Sequence, residues 1–222
     1  VLDAIKIILD ELTVPLIGFA GAPFTLAAYL VEGGPSKNFA KVKSLMYTVP
    51  ELWSQLLDAL ADITIASLRS QVEAGCKAIQ LFDSWAGILN PTDYAKHVLP
   101  ASQKIFNAVA DLNVPRIHFG VTTGEILPLM SDAGPDVVGI DWRVPLNEAR
   151  TRVSSKAIQG NLDPAVCLSD WNAVQQQTDR ILKEGGRVGH IFNLGHGVLP
   201  ETDPAILEQL VDYVHEKTAI AK

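Results

Sequence analysis

Cysteine is scarce in this chain: two residues in 222, Cys76 and Cys167, far apart and in no CxxC or HxC arrangement. A disulfide framework and a zinc site both need clustered ligands, so the pair reads as two reduced, packed thiols, and a metal is not expected. Cations are also in short supply, with 18 Lys and Arg against 25 Asp and Glu for a net charge of -7. A nucleic-acid or anionic-membrane surface needs a concentrated basic stripe, so both partners are excluded as general readings, although local positive pockets still fit. No apolar run reaches the roughly 18 to 20 residues of a membrane helix, and no charged-then-apolar leader opens the sequence. The expectation is a soluble cytoplasmic protein. No GxGxxG follows any apolar run, which removes the best signature of a dinucleotide-binding sheet.

What is present is a core. Hydrophobic residues make up 48% of the sequence, enough for a compact globular domain. Two patterns alternate along it. Short, nearly continuous apolar runs end in Gly, Asp or Asn, and longer stretches with apolar residues three or four apart follow them. The runs predict strands at "PLIGFAG" (15–21), "AIQLFDS" (78–84), "RIHFGV" (116–121), "VVGIDW" (137–142), "AIQGNLD" (157–163) and "HIFNLG" (190–195). Runs this apolar suit a parallel sheet covered on both faces. Residues 50–75 predict a long amphipathic helix with a stripe of Leu52, Leu56, Leu60 and Ile63, ended by Gly75. Helix starts are expected at Asn90, Asp163, Ser169 and Asp203.

Six strand-helix units without a long linker point to one domain over 1–222, an α/β fold. A doubly wound sheet and a (β/α)8 TIM barrel both remain open on pattern alone. The barrel needs eight units, and at ~250 residues per barrel two further units account for roughly 60 residues. The opening "VLDAIKIILDEL" reads as a helix with no strand before it. The expectation is therefore the C-terminal portion of a larger barrel whose first two units are missing.

Parallel α/β folds gather ligands beyond the carboxyl ends of their strands. Three carboxylates stand there, Asp83, Asp141 and Asp163. Two could divide proton donation and acceptance, whereas Asp163, before Pro164, reads more simply as a cap. His196 lies between two glycines just past the last strand, where the backbone can approach a ligand. His97 and His215 fall on helical patterns and read as surface; His118 and His190 fall in strands and read as packing. Tyr29 lies eight residues past Gly21, close enough for its hydroxyl to return over the strand ends. Phe19, Phe82, Trp85 and Trp142 fit a core or a ligand-stacking wall equally well.

Taken in order, "PLIGFAGAPFTLAAYLVEGG", "AIQLFDSWAG", "VVGIDWRVPL", "IQGNLDPAV" and "NLGHGVLPETDP" resemble the uroporphyrinogen decarboxylase family of the haem pathway. The resemblance implies a TIM barrel that pairs as a homodimer. It also implies a carboxy-lyase that removes carbon dioxide from the four acetate arms of a tetrapyrrole, uroporphyrinogen, to leave the methyl groups of coproporphyrinogen, with no metal or organic cofactor. By the same resemblance Tyr29, Ser84 and His196 match the family's substrate-contacting residues, with Tyr29 and His196 supporting catalysis and Phe19 and Phe82 lining the cleft. The family's arginine-rich RQAGR segment and its pyrrole-binding aspartate match nothing among these residues. Arg143, just past the fourth strand, is the basic residue nearest the expected site, and it matches neither. Two rival readings stand beside this one. A cobalamin-linked methyltransferase of the same broad fold gathers His and Cys around zinc, a pattern Cys76 and Cys167 do not make. An incomplete or inactive partner subunit is the other.

Overall fold

The structure, a computed structural model, describes residues 1–154 and 156–219. The chain forms two compact units, Val1–Val138 and Gly139–Lys222. The first holds α1 (Leu2–Glu11), β1 (Ile17–Gly21), α2 (Pro23–Glu32), α3 (Ala40–Thr48), α4 (Pro50–Glu73), β2 (Ala78–Phe82), α5 (Pro91–His97), α6 (Leu99–Ala108), β3 (Arg116–Phe119) and α7 (Leu127–Asp132). The strand β4 (Val137–Gly139) stands at the junction, and α8 (Leu146–Arg152), β5 (Ala157–Gln159), α9 (Trp171–Gly185), β6 (His190–Ile191) and α10 (Pro204–Thr218) follow.

The strands lie in one sheet in the order β1-β2-β3-β4-β5-β6. Neighbours pair in parallel, Ile17 with Ala78 in β1 and β2, Ile79 with Arg116 in β2 and β3, and Ile158 with His190 in β5 and β6. A doubly wound sheet reverses its strand order at a switch point; sequential order with helical crossovers is the succession of a TIM barrel. All six expected strands form; β1 ends at Gly21 as its apolar run does, and the other five stop short of the runs that predict them. These five strands end at Phe82, Phe119, Gly139, Gln159 and Ile191, with an isolated parallel bridge between Leu162 and Leu194 beyond the last two, and the residues just beyond become the loops of the candidate site.

The helix α4 shows why counting apolar residues misplaces its buried face. Pro50 opens it, where a missing N–H has no intrahelical partner to lose, and Gly75 follows at a φ of 119°. Leu52 and Ile63 of the expected stripe are 51% and 63% exposed. The buried face is instead Trp53, Leu57, Leu60, Ala61, Thr64, Leu68 and Gln71. Two of these are polar, and each is satisfied by β1. Thr64 Oγ1 donates to Gly21 O at 3.2 Å. The Gln71 carboxamide closes on Phe19 from both ends, accepting from its N–H and donating to its carbonyl at 2.9 Å each. Trp53 packs edge-on against Phe24 at 6.1 Å and donates to His97 O at 3.0 Å, the indole supplying apolar area and a satisfied donor together.

Helix starts follow side-chain chemistry closely. Asn90 accepts from Asp93 N at 2.9 Å and Asp203 from Ala205 N at 3.0 Å. Asp163 accepts from Ala165 N at 2.9 Å, so the capping reading of this aspartate holds. The start expected at Ser169 lies one residue on, where Asp170 accepts from Ala173 N at 2.9 Å; the longer Asx side chain makes the bond. No helix among the described residues is long and apolar enough to cross a membrane. Both cysteines are free and buried, and burial pushes both thiols above the ordinary value.

Candidate functional site

In the first unit the ends of β1, β2 and β3 carry a row of aromatic rings. Phe19 meets Phe82 edge-on at 5.6 Å, and Phe82 meets Phe119 edge-on at 5.7 Å. The row runs from the surface into the core, from Phe19 at 63% exposed to Phe119 at 6%. Such a graded apolar face is suited to a flat, largely apolar ligand.

Tyr29 projects from the second turn of α2 and is half-exposed, its ring tilted over Trp85 at a centroid separation of 4.0 Å. Phe39 supports Trp85 at 5.0 Å. Ser84, half-buried, lies between Trp85 and Asp83 in the turn after β2. That turn is held from beneath. Asp83 is fully buried, its N–H donates to Phe119 O at 2.7 Å, and its Oδ1 accepts from Thr25 Oγ1 at 3.0 Å. The Thr25 hydroxyl in turn accepts from Trp85 N at 3.3 Å. One threonine thus ties the helix carrying Tyr29 to the turn carrying Ser84.

Behind the turn, His118 is fully buried with Nε2 3.8 Å from Asp83 Oδ2, too long for a hydrogen bond. The packing reading of His118 is correct, and so is that of His190, which bonds Gly160 O through Nε2 at 2.7 Å. Tyr94 is also buried beside this group; burial, then the Asp83 charge, holds its hydroxyl well above the ordinary tyrosine value.

In the second unit the loops after β4, β5 and β6 meet around Trp142. Asp141, 2% exposed, accepts from Arg143 twice, at Oδ1 from the backbone N–H (3.2 Å) and at Oδ2 from Nη1 (2.7 Å). Asn161 Nδ2 bridges Asp141 O and Val144 O at 2.7 Å each. The Arg143 guanidinium lies over the Trp142 ring at 3.9 Å, and the exposed His196 ring stands edge-on to the same indole at 6.2 Å. Gly195 fits because a Cβ there would come within 2.5 Å of Trp142 N.

The expected residues therefore divide between the units: Phe19, Tyr29, Phe82 and Ser84 belong to the first, His196 to the second. Asp83 and Asp141 do not present carboxylates to a ligand as an acid and base pair would; both are buried and bonded to their own neighbours. Thr25 and Gln71, which order the first group, left no sign in the sequence, since each acts on residues more than fifty positions away. The Asp141–Arg143 pair was visible as "DWR", an Asx residue two before a cation.

Comparison with known proteins adds the family. A family model described as uroporphyrinogen decarboxylase (URO-D) matches residues 1–217. The uroporphyrinogen decarboxylase of Streptomyces avermitilis is 61% identical over 222 residues, covering 99% of this chain and 62% of that protein. That of Nocardia farcinica is 57% identical over 224 residues, covering 97% of this chain and 63% of that protein. The chain thus spans less than two thirds of the length of these relatives. Among solved structures, a methyltransferase from Methanosarcina mazei superposes with a TM-score of 0.86 at 20% identity, over 98% of this chain and 64% of that one. A B12-independent methionine synthase from Shewanella sp. W3-18-1 gives 0.71 at 12% identity, over 98% of this chain and 65% of that one. At such identities the likeness is one of fold. The family match runs through both units and through every strand end described above, and on it the chain belongs to the uroporphyrinogen decarboxylase family.

Proposed function

We propose that this chain belongs to a carboxy-lyase that converts uroporphyrinogen to coproporphyrinogen by removing the carboxyl groups of its four acetate arms. The observation that carries this reading is identity of 61% to a uroporphyrinogen decarboxylase across 99% of the chain. Features of each unit support it: in the first, a graded aromatic face of Phe19 and Phe82 suits the macrocycle and Tyr29 and Ser84 offer polar groups for its arms, and in the second, the exposed His196 offers another.

The substrate provides the electron sink. Protonation of a pyrrole ring draws the electron pair of the bond to the carboxylate into that ring and carbon dioxide leaves. An acid then gives a proton to the exposed methylene carbon to make the methyl group, and the ring gives up the proton it first took, so that one proton is consumed for each carbon dioxide released. Here Tyr29 and His196 support that chemistry by hydrogen bonds to the substrate, Ser84 holds a polar arm, and Phe19 and Phe82 exclude water from one face of the ring. The reading also carries a homodimer and a cytoplasmic location, each open to direct measurement by sedimentation and by cell fractionation.

The test is carbon dioxide release and product analysis with uroporphyrinogen III. The 222-residue chain is assayed beside the same chain joined to the remaining segment of its Streptomyces avermitilis relative. Coproporphyrinogen from the joined protein is the expected result. A folded joined protein that makes neither coproporphyrinogen nor partly decarboxylated intermediates would overturn the reading.

A further inference from the structure

Arg143 is held more firmly than a half-exposed arginine needs to be. Its side chain is 45% exposed, yet the guanidinium is held at two points and the backbone at a third. Nη1 is bonded to Asp141 Oδ2 at 2.7 Å, its own N–H is bonded to Asp141 Oδ1 at 3.2 Å, and the guanidinium carbon lies 3.9 Å above the Trp142 ring. Asp141 cannot swing away to release it, because that carboxyl is 1% exposed and its backbone carbonyl is tied by Asn161 at 2.7 Å. The indole beneath is itself fixed, with Gly195 packed against its backbone and His196 edge-on to its ring at 6.2 Å.

This leaves the guanidinium in a defined pose. One end is committed to Asp141 and one face to Trp142. The side edge, Nε with Nη2, has no protein partner among the described residues. Those two N–H groups point the same way in one plane, and that fork matches the two oxygens of a carboxylate. An arginine already oriented loses little side-chain entropy on forming both bonds. Arg143 also stands at the carboxyl end of β4, on the side of the sheet where parallel α/β folds bind ligands.

We propose that Arg143, oriented by Asp141 and Trp142, is a carboxylate-binding residue that takes one carboxylate-bearing arm of the substrate, an assignment that rests on the tetrapyrrole reading above. Arg143 is partly neutralised by Asp141, so its contribution is directional rather than a large net attraction. It selects a planar carboxylate over an ester of the same shape.

The test needs no turnover. The ¹⁵N-labelled 222-residue chain is titrated with pyrrole-3-acetic acid and, separately, with its methyl ester, following the Arg143 Nε–H and Trp142 Nε1–H resonances. Both should move with the acid and stay with the ester. Binding of uroporphyrin III, the stable octacarboxylate, is then measured on the joined protein by quenching of tryptophan emission. R143M should weaken it roughly ten-fold, the loss of one good charged hydrogen-bond pair. R143K keeps a cation beside Asp141 but not the fork, and should recover only part of that loss.

Resonances that respond equally to acid and ester, or uroporphyrin affinity unchanged in both R143M and R143K, would sink the proposal. If R143M does not fold, R143K decides alone. The two readings separate cleanly. Decarboxylation that persists with Arg143 unmoved by either carboxylate ends this inference and spares the function. Arg143-dependent binding in a folded joined protein that releases no carbon dioxide does the reverse.

Discussion

Thr25 Oγ1 donates to Asp83 Oδ1 at 3.0 Å across 58 residues of sequence, and both side chains are buried. The bond joins α2, which carries Tyr29, to the turn that carries Ser84. Replacing Thr25 by Val keeps the shape but leaves the Asp83 oxygen without its donor and Trp85 N without its acceptor. We expect T25V to lose about 1–3 kcal/mol of stability by urea denaturation, and T25S to stay close to the parent. Trp85 emission should shift to the red in T25V as its ring loosens. Equal midpoints for T25V and the parent would show that the bond does not hold the turn.

His190 gives the second unit a pH dependence. Burial holds its imidazole below the ordinary value, the Arg150 charge adds to that, and the bond to Gly160 O opposes it without cancelling it. A histidine with a depressed folded pKa takes up its proton more readily when unfolded. Its contribution to stability is therefore complete above the unfolded value of about 6.5 and is lost as pH falls below that. The urea midpoint should fall between pH 7.5 and pH 5.5, and the fall should be shallower in H190Q. Parallel curves for the two proteins would remove His190 as a cause.

Gly195 is required by contact rather than by conformation. A Cβ on it would lie 2.5 Å from Trp142 N and 3.0 Å from Trp142 Cβ, and the first of these is backbone that cannot step aside. G195A should cost about 1–3 kcal/mol, the range for overpacking a closed site, and should displace His196 from the indole. The ring-current shift of the His196 protons reports that displacement directly. A G195A protein with parent stability and unchanged His196 shifts would show that the loop moves freely.

The existence of each strand was legible because a parallel strand covered on both faces must be apolar nearly throughout. Its end was legible at Gly21 but not after β2 or β4, because the turns there are held by side-chain bonds of Asp83 to Thr25 and of Asp141 to Arg143 that hydrophobicity does not record. The two aspartates illustrate the limit. At strand ends they invite an acid and base reading, yet the structure spends both on holding loops in place. Tyr29 and Phe19 were candidates from position, where a core reading fitted as well, and both side chains are exposed. The buried face of α4 was not, since Thr64 and Gln71 belong to it only by virtue of backbone groups on β1.

His196 is the sequence-predicted residue on which the second unit's part in the chemistry turns. It is exposed, and its ring stands edge-on to Trp142 at 6.2 Å. H196A should leave stability within about 1 kcal/mol of the parent, as for other exposed positions. If the imidazole hydrogen-bonds a substrate arm, its loss should slow turnover of uroporphyrinogen by the joined protein roughly 10- to 100-fold, the range for one hydrogen bond to a charged group. Four arms react in succession, so a slower step at each lets intermediates with seven, six and five carboxyls escape and accumulate. Chromatography of the products at partial conversion reads that distribution, and thermal unfolding reads the fold in parallel. A parent rate and a parent product distribution in a stable H196A protein would remove His196 from the site. A large loss of stability would instead make it a structural residue, and the glycines beside it would then serve the Trp142 contact alone.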